Sequence, residues 1–185
     1  MFDTLDQAIQ YLSSQALPED RWSLANSVSH WEHLEPFGIS KDFMAVAKQL
    51  PLNGIEIGCL ILGDRMESEL HVALTKLNGN NGVAMIPSTM CCVGSWEANA
   101  LAVTRCSADQ DDTAIYLIEL WRGLEAKPAR LAPTLRSLLI AATNHWKLRL
   151  DDCESWTPME SWLSSQDEFE TDMLSTWNSL WNTGV

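Results

Sequence analysis

The stretch Ile55-Glu56-Ile57-Gly58-Cys59-Leu60-Ile61-Leu62 decides the fold class, because helix and strand patterns compete within it. Its β-branched residues, its glycine and its short length suit a strand. Asn53 and Glu56 instead have the capping-box spacing that begins a helix. We favour a buried helix here, and the alternative is one short β-hairpin around 55–62 and 83–86.

Helical patterns flank this stretch on both sides. On the N-terminal side, Ser40 is placed to cap a helix over 41–50, whose apolar residues recur at helical spacing. On the C-terminal side, Asp64 and Glu67 form a capping box before an amphipathic repeat that reaches Leu77. The elements predicted on both sides of the central stretch are thus helices.

The same signals recur along the rest of the chain. Thr4 and Gln7 form a capping box for a first helix, and Pro18 suits the start of a second. Asp111 and Asp112 are placed to cap a helix over 113–124 that buries Trp121. Further helices are predicted over 95–103, over 133–149, from Thr157 and over 165–181. The sequence thus predicts an all-α single domain over 1–185, a bundle of about seven to nine helices.

Negative charge is concentrated at one end of the chain. The net charge is −13, no Lys or Arg follows Arg149, and residues 151–185 contain eight acids, which leaves −5 for the first 150 residues. Such a field repels phosphate backbones and anionic lipids and attracts basic surfaces. We therefore expect a protein partner with a basic surface or segment, with no direct contact to nucleic acid or membrane. The alternative is that these acids only keep the protein in solution.

The expected compartment is the cytoplasm. No run approaches the roughly 20 apolar residues of a membrane-spanning helix, and the first six residues carry acids where a signal peptide carries Lys or Arg. The five cysteines form an odd set without repeated spacing, which favours a reducing environment.

The segment 151–185 is both acidic and rich in tryptophan, and we predict that it packs on the rest of the domain as helices. Tryptophan is enriched in binding hot spots, and neighbouring acids would orient a basic partner. Docking of the same aromatic residues onto the protein's own core requires the same spacing, so that alternative stays open. The predicted partner-binding residues are Trp162, Asp167, Glu168, Glu170, Asp172, Trp177 and Trp181.

The chain lacks the local motifs of common enzymes, and we predict no catalytic residue, metal ligand or cofactor. His30 and His33 are three residues apart, whereas the metalloprotease helix requires a spacing of four. Cys91 and Cys92 are adjacent and so do not form a Cys-x-x-Cys motif. Glycine-rich phosphate loops and the Gly-x-Ser-x-Gly elbow are also missing.

Residues 43–51, continuing through Ile55 to Leu62, resemble a helical segment of uncharacterised bacterial proteins of similar length. The resemblance covers about twenty residues and contains no chemical motif. It implies helical structure there and carries over no functional residue.

These patterns favour a non-enzymatic helical interaction protein, such as an adaptor, a secretion-type chaperone or an inhibitor, that binds its partner through an acidic, aromatic-lined face. One form of inhibition is nucleic-acid mimicry, in which carboxylates imitate phosphate spacing. The alternative is an enzyme whose Cys/His or His/acid site is assembled only in space. A third possibility is a homo-oligomer joined through its C-terminal helix.

Overall fold

The computed structural model describes residues 1–15, 37–47, 55–63, 70–79, 86–106 and 112–183. Six α-helices, six β-strands and one 3-10 segment are formed within these ranges. In chain order they are α1 (Leu5–Gln15), α2 (Lys41–Ala47), β1 (Ile55–Ile57), β2 (Leu60–Leu62), α3 (Leu70–Asn78), β3 (Met90–Trp96), β4 (Asn99–Thr104), β5 (Ile115–Ile118), the 3-10 segment Leu120–Glu125, β6 (Ala129–Ala132), α4 (Leu135–Leu150), α5 (Thr157–Ser164) and α6 (Thr171–Thr183).

The six strands form one antiparallel sheet in the order β1-β2-β3-β4-β5-β6, so the prediction of an all-α helical bundle is wrong. The reason is visible in β3, where six of seven residues are buried. A strand covered on both faces is apolar throughout and lacks the alternation that identifies a half-exposed strand. Such a run cannot be distinguished from a buried helix by periodicity alone.

The deciding stretch 55–62 forms the hairpin of β1 and β2, which corrects our preference for a helix and the helical form implied there by the resemblance. Ile55 and Ile57 are buried while Glu56 is exposed, which is the two-residue period of a strand. The chain reverses at Gly58, whose φ of +58° suits glycine. β2 pairs with β1 on one side and with β3 on the other, and residues 83–85 of the alternative hairpin lie outside the described residues.

Two further predicted helices are also strands. Residues 95–103 span the end of β3, a tight turn at Glu97–Ala98 and most of β4. Residues 113–124 contain β5 and most of the 3-10 segment, and the Asp112 carboxylate accepts hydrogen bonds from Thr104 and Tyr116 instead of capping a helix. Helical spacing arose between apolar residues of two neighbouring strands in the first segment, and between β5 and the 3-10 segment in the second.

The caps predicted at Thr4 and Ser40 are confirmed, and helices also form over most of 133–149, from Thr157 and over most of 165–181. Thr4 accepts a hydrogen bond from the Gln7 amide, and Ser40 accepts one from the Phe43 amide, at the starts of α1 and α2. Thr134 caps α4 through the Ser137 amide. Helix α6 begins at Thr171, six residues after the predicted cap Ser165. The second predicted helix, from Pro18, and the capping box at 64–67 lie outside the described residues.

The sheet is packed between two apolar layers. On one face, the central helix α4 contacts α1, α2, α5, β1 and β6, while α6 packs along β6. On the other face lies a smaller cluster to which α3 contributes Leu77. The side-chain amide of Asn78, at the end of α3, donates a hydrogen bond to the Cys92 carbonyl and accepts one from the Cys92 amide. It thus pairs with the backbone of β3 at a position that β2 does not reach.

One end of the sheet gathers several connections, and we call it the turn end. It contains the β1–β2 turn at Gly58–Cys59, the β3–β4 turn at Glu97–Ala98, and the 3-10 segment that follows β5, since Ile118 pairs with Ala100. Helix α4 also finishes there. A Cβ atom on Gly58 would lie 2.9 Å from the Trp146 ring, and the rings of Trp96 and His145 are 5.3 Å apart.

Candidate protein-interaction surface

The three tryptophans predicted to bind a partner lie in the protein interior. Trp162, Trp177 and Trp181 are 8%, 0% and 4% exposed. Each indole N–H is also used internally: Trp177 donates to the Leu131 carbonyl (2.8 Å), Trp181 to the Glu154 carbonyl (3.3 Å) and Trp162 to the Asp3 carboxylate (2.9 Å). These three indoles are therefore not accessible at the surface of the protein, whereas other side chains of the segment are.

Two of these indoles enclose His145 together with Trp96. The imidazole ring lies 5.3 Å from Trp96, 6.1 Å from Trp177 and 5.2 Å from Trp181, between ring centroids. Its Nε2 atom is buried without a hydrogen-bond partner among the described residues. Burial, and then the positive charge of Arg149, lower the pKa of His145 to about 4. The ring is therefore neutral near pH 7 and is a core residue.

The acids of the C-terminal segment are all at the surface. The exposed set is Asp151, Asp152, Glu154, Glu160, Asp167, Glu168, Glu170 and Asp172. Amphipathic packing explains this division, because α5 and α6 turn their apolar residues towards the sheet and α4. One segment thus supplies interior indoles and an acidic outer surface.

Three of the four predicted acids also hold the segment in place. Glu168 accepts a hydrogen bond of 2.6 Å from the Ser137 hydroxyl at the start of α4. Glu170 and Asp172 lie 3.0 and 3.7 Å from the Arg130 guanidinium on β6. These ion pairs are exposed and contribute little stability individually, but they fix where α6 begins relative to the sheet.

The remaining acids are more available to a partner. Asp167, the fourth predicted acid, and also Asp152, Glu154 and Glu160, form no side-chain ion pair with any residue that the structure describes. Exposed carboxylates without a cationic neighbour keep their full long-range field.

Sequence reasoning missed Trp121, which was predicted to be buried on a helix. Trp121 is 73% exposed, the most exposed of the large apolar side chains in the described ranges. It lies in the 3-10 segment between β5 and β6, which breaks at Gly123, where φ is +60°. Gly123 and Pro128 are the signals of a connecting loop that could have separated this tryptophan from a helix.

Two of the cysteines, Cys59 and Cys91, are held as thiols by their surroundings. All five are free thiols. Burial raises the pKa of Cys91 to about 12, and burial with a hydrogen bond to Glu97 raises that of Cys59 to about 11. Since the thiolate is the nucleophile, both sulfurs are unreactive near pH 7.

Within the described ranges, no three His, Cys, Asp or Glu side chains lie close enough together to hold a metal ion. His30 and His33 lie outside those ranges, as does the side chain of His71. The described helices include none with the length and apolar character needed to cross a membrane.

Comparison with protein-family models, with curated proteins and with solved structures found no match to this chain.

Proposed function

We propose that this chain is an acidic interaction protein, acting as an adaptor, a secretion-type chaperone or an inhibitor, and that it binds a protein partner with a basic surface or segment. The observation that carries the proposal is the outer surface of residues 151–172, where eight acids are exposed and no Lys or Arg occurs in the sequence. A surface of one sign accelerates encounters with oppositely charged partners and discourages others.

The buried indoles change how this surface would work. Because Trp162, Trp177 and Trp181 are interior, the C-terminal segment offers a partner its carboxylates and not an aromatic face. Mimicry of a nucleic acid by spaced carboxylates is one form that inhibition would take. We place the interaction in the cytoplasm, a location supported by five thiols that remain unpaired.

Capture experiments with charge-matched variants test the proposal. The variant Glu160→Gln/Asp167→Asn removes two exposed acids of the C-terminal segment, and the control Asp6→Asn/Glu56→Gln removes two exposed acids elsewhere. Both change the net charge equally, so a difference between them reports position and not total charge. We expect one protein to be captured from native lysate by the wild type and the control, and much less by the C-terminal variant.

Salt provides the second comparison. The Debye length falls from about 10 Å at 0.1 M to about 3 Å at 1 M salt, so capture through exposed carboxylates should weaken steeply over that range. Equal capture by the two variants would mean that the C-terminal acids only keep the protein in solution. Failure to capture any protein at either salt concentration would reject the proposed function.

A further inference from the structure

Trp121 differs from the other described tryptophans in its surroundings. The other six are buried or half-buried, and the three predicted to bind a partner each direct the indole N–H to an internal acceptor. Trp121 instead has most of its surface in water. Arg122 lies over its ring, with the guanidinium carbon 4.7 Å from the ring centroid. Tryptophan and arginine are the residues most enriched in interface hot spots.

The backbone around this pair is fixed. On either side, Leu120 and Ala126 pack against the apolar cluster on the sheet face that α3 also covers. Hydrogen bonds of 3.1 Å join the Arg122 amide to the Glu119 carbonyl and the Ala126 amide to the Gly123 carbonyl. The Arg122 side chain also forms an ion pair with Glu119. An exposed indole on an anchored segment loses little conformational freedom when it is bound.

The topology places Trp121 at the turn end of the sheet, where α4 finishes and the acidic segment begins. Acids outnumber bases at this end. The acids are Glu97, Glu119, Glu125, Asp151, Asp152 and Glu154, and the bases are Arg122, Lys127, Lys147 and Arg149. Two of these bases are already paired with acids, Arg122 with Glu119 and Lys147 with Asp151. The excess of acids at this end of the sheet therefore favours a partner with a basic surface there.

We infer that Trp121 and Arg122 are the anchor of the partner interface, with the Trp121 indole entering an apolar pocket on a protein whose surrounding surface is basic. This inference rests on the proposed function and names a contact that the acidic segment alone does not supply. The net charge of −13 opposes pairing of two copies of this chain at an acidic end, and it also opposes nucleic acid and anionic lipid.

Site-specific crosslinking tests the contact directly. A photoreactive phenylalanine analogue replaces Trp121 in the full chain expressed in its own cells, and the control places the same analogue at Ala45. Ala45 is exposed on α2, which follows Gly38, a residue packed against Arg105 at the opposite end of the sheet. We expect one dominant adduct at position 121, with a basic protein, and no such adduct at position 45.

The crosslinked protein is then purified, and its affinity for unmodified variants is measured. Trp121→Ala should raise the dissociation constant at least about tenfold, as expected for a hot-spot tryptophan, while its unfolding midpoint remains that of the wild type because the side chain is exposed. The absence of an adduct, an adduct only with a second copy, the same adducts at both positions, or a change below about twofold would overturn the inference.

The two proposals fail in distinguishable ways. If Glu160→Gln/Asp167→Asn weakens binding and Trp121→Ala does not, the acidic surface binds the partner and the anchor is wrong. If neither variant changes binding to the captured protein, both proposals are wrong.

Discussion

His145 combines a titratable side chain with an almost fully enclosed position. Its imidazole is surrounded by Trp96, Trp177 and Trp181, and burial lowers its pKa from the ordinary value of 6.5 to about 4. Between about pH 4 and pH 6.5, His145 therefore binds a proton more readily in the unfolded chain than in the folded chain. Folding stability is therefore complete above about pH 6.5 and is lost as the pH falls towards 4.

His145 should consequently contribute to the acid sensitivity of the fold. At 1.36 kcal/mol per pKa unit, protonation of His145 lowers the free energy of unfolding by about 3 kcal/mol between pH 7 and pH 4. The variant His145→Phe retains an aromatic ring and removes the titration, so its stability should fall less over the same range. Denaturant unfolding of both proteins at pH 7 and pH 4.5 measures the difference, and parallel pH profiles would refute it.

At the scale of elements, β2 and β3 lie so close together at Gly94 that this position has no room for a side chain. A Cβ atom on Gly94 would lie 2.1 Å from the Ile61 carbonyl oxygen and 3.0 Å from the Leu62 Cα. Both neighbours are backbone atoms, so they cannot move aside as a side chain would. Gly94 also lies at the register shift where β3 pairs with β4.

Gly94→Ala should therefore separate the β1–β2 hairpin from the rest of the sheet. We expect a loss on the order of 3 kcal/mol in the free energy of unfolding, the upper range for inserting volume into a packed interior. The neighbouring change Ser95→Ala adds no volume and serves as the control, with an expected effect below about 1 kcal/mol. Similar values for the two variants in urea unfolding would show that β2 does not pair with β3 as described.

The elements also explain which predictions from sequence succeed. Capping signals such as Thr4 with Gln7, and Ser40, are local, so the starts of α1 and α2 could be predicted directly from the sequence. Strand pairing is not local, and β3 shows no alternation because apolar layers cover both of its faces. Glycine at position 58 was compatible with either reading, and only the pairing of Ile55 with Leu62 distinguishes them.

For the candidate site, the acids could be predicted and the tryptophans could not. The charge asymmetry after Arg149 is a property of composition, and the acids are exposed as expected for charged residues. The spacing of Trp177 and Trp181 suits both a binding face and a core face. Trp121 fell at helical spacing after Ile115 and Ile118, although those residues belong to a strand.

At the scale of the whole molecule, the C-terminal segment 151–185 has its acids at the surface and Trp162, Trp177 and Trp181 in the interior. The eight acids of 151–172 provide more than half of the net charge of −13, while Trp162, Trp177 and Trp181 complete the core beneath them. The fold and the proposed interaction surface are thus linked, because the indoles position the helices on which the acids lie. This division leaves Trp121 as the exposed indole of the described chain.

The most direct test of this division compares Trp177→Phe with Trp121→Phe in equilibrium unfolding. The first change opens a cavity and leaves the Leu131 carbonyl without its donor, so it should cost roughly 2–3 kcal/mol. The second alters a side chain that is mostly in water and should change the free energy of unfolding by less than about 0.5 kcal/mol. Equal or reversed costs would contradict the account, because Trp177 would then not be a core residue and Trp121 would not be free to meet a partner.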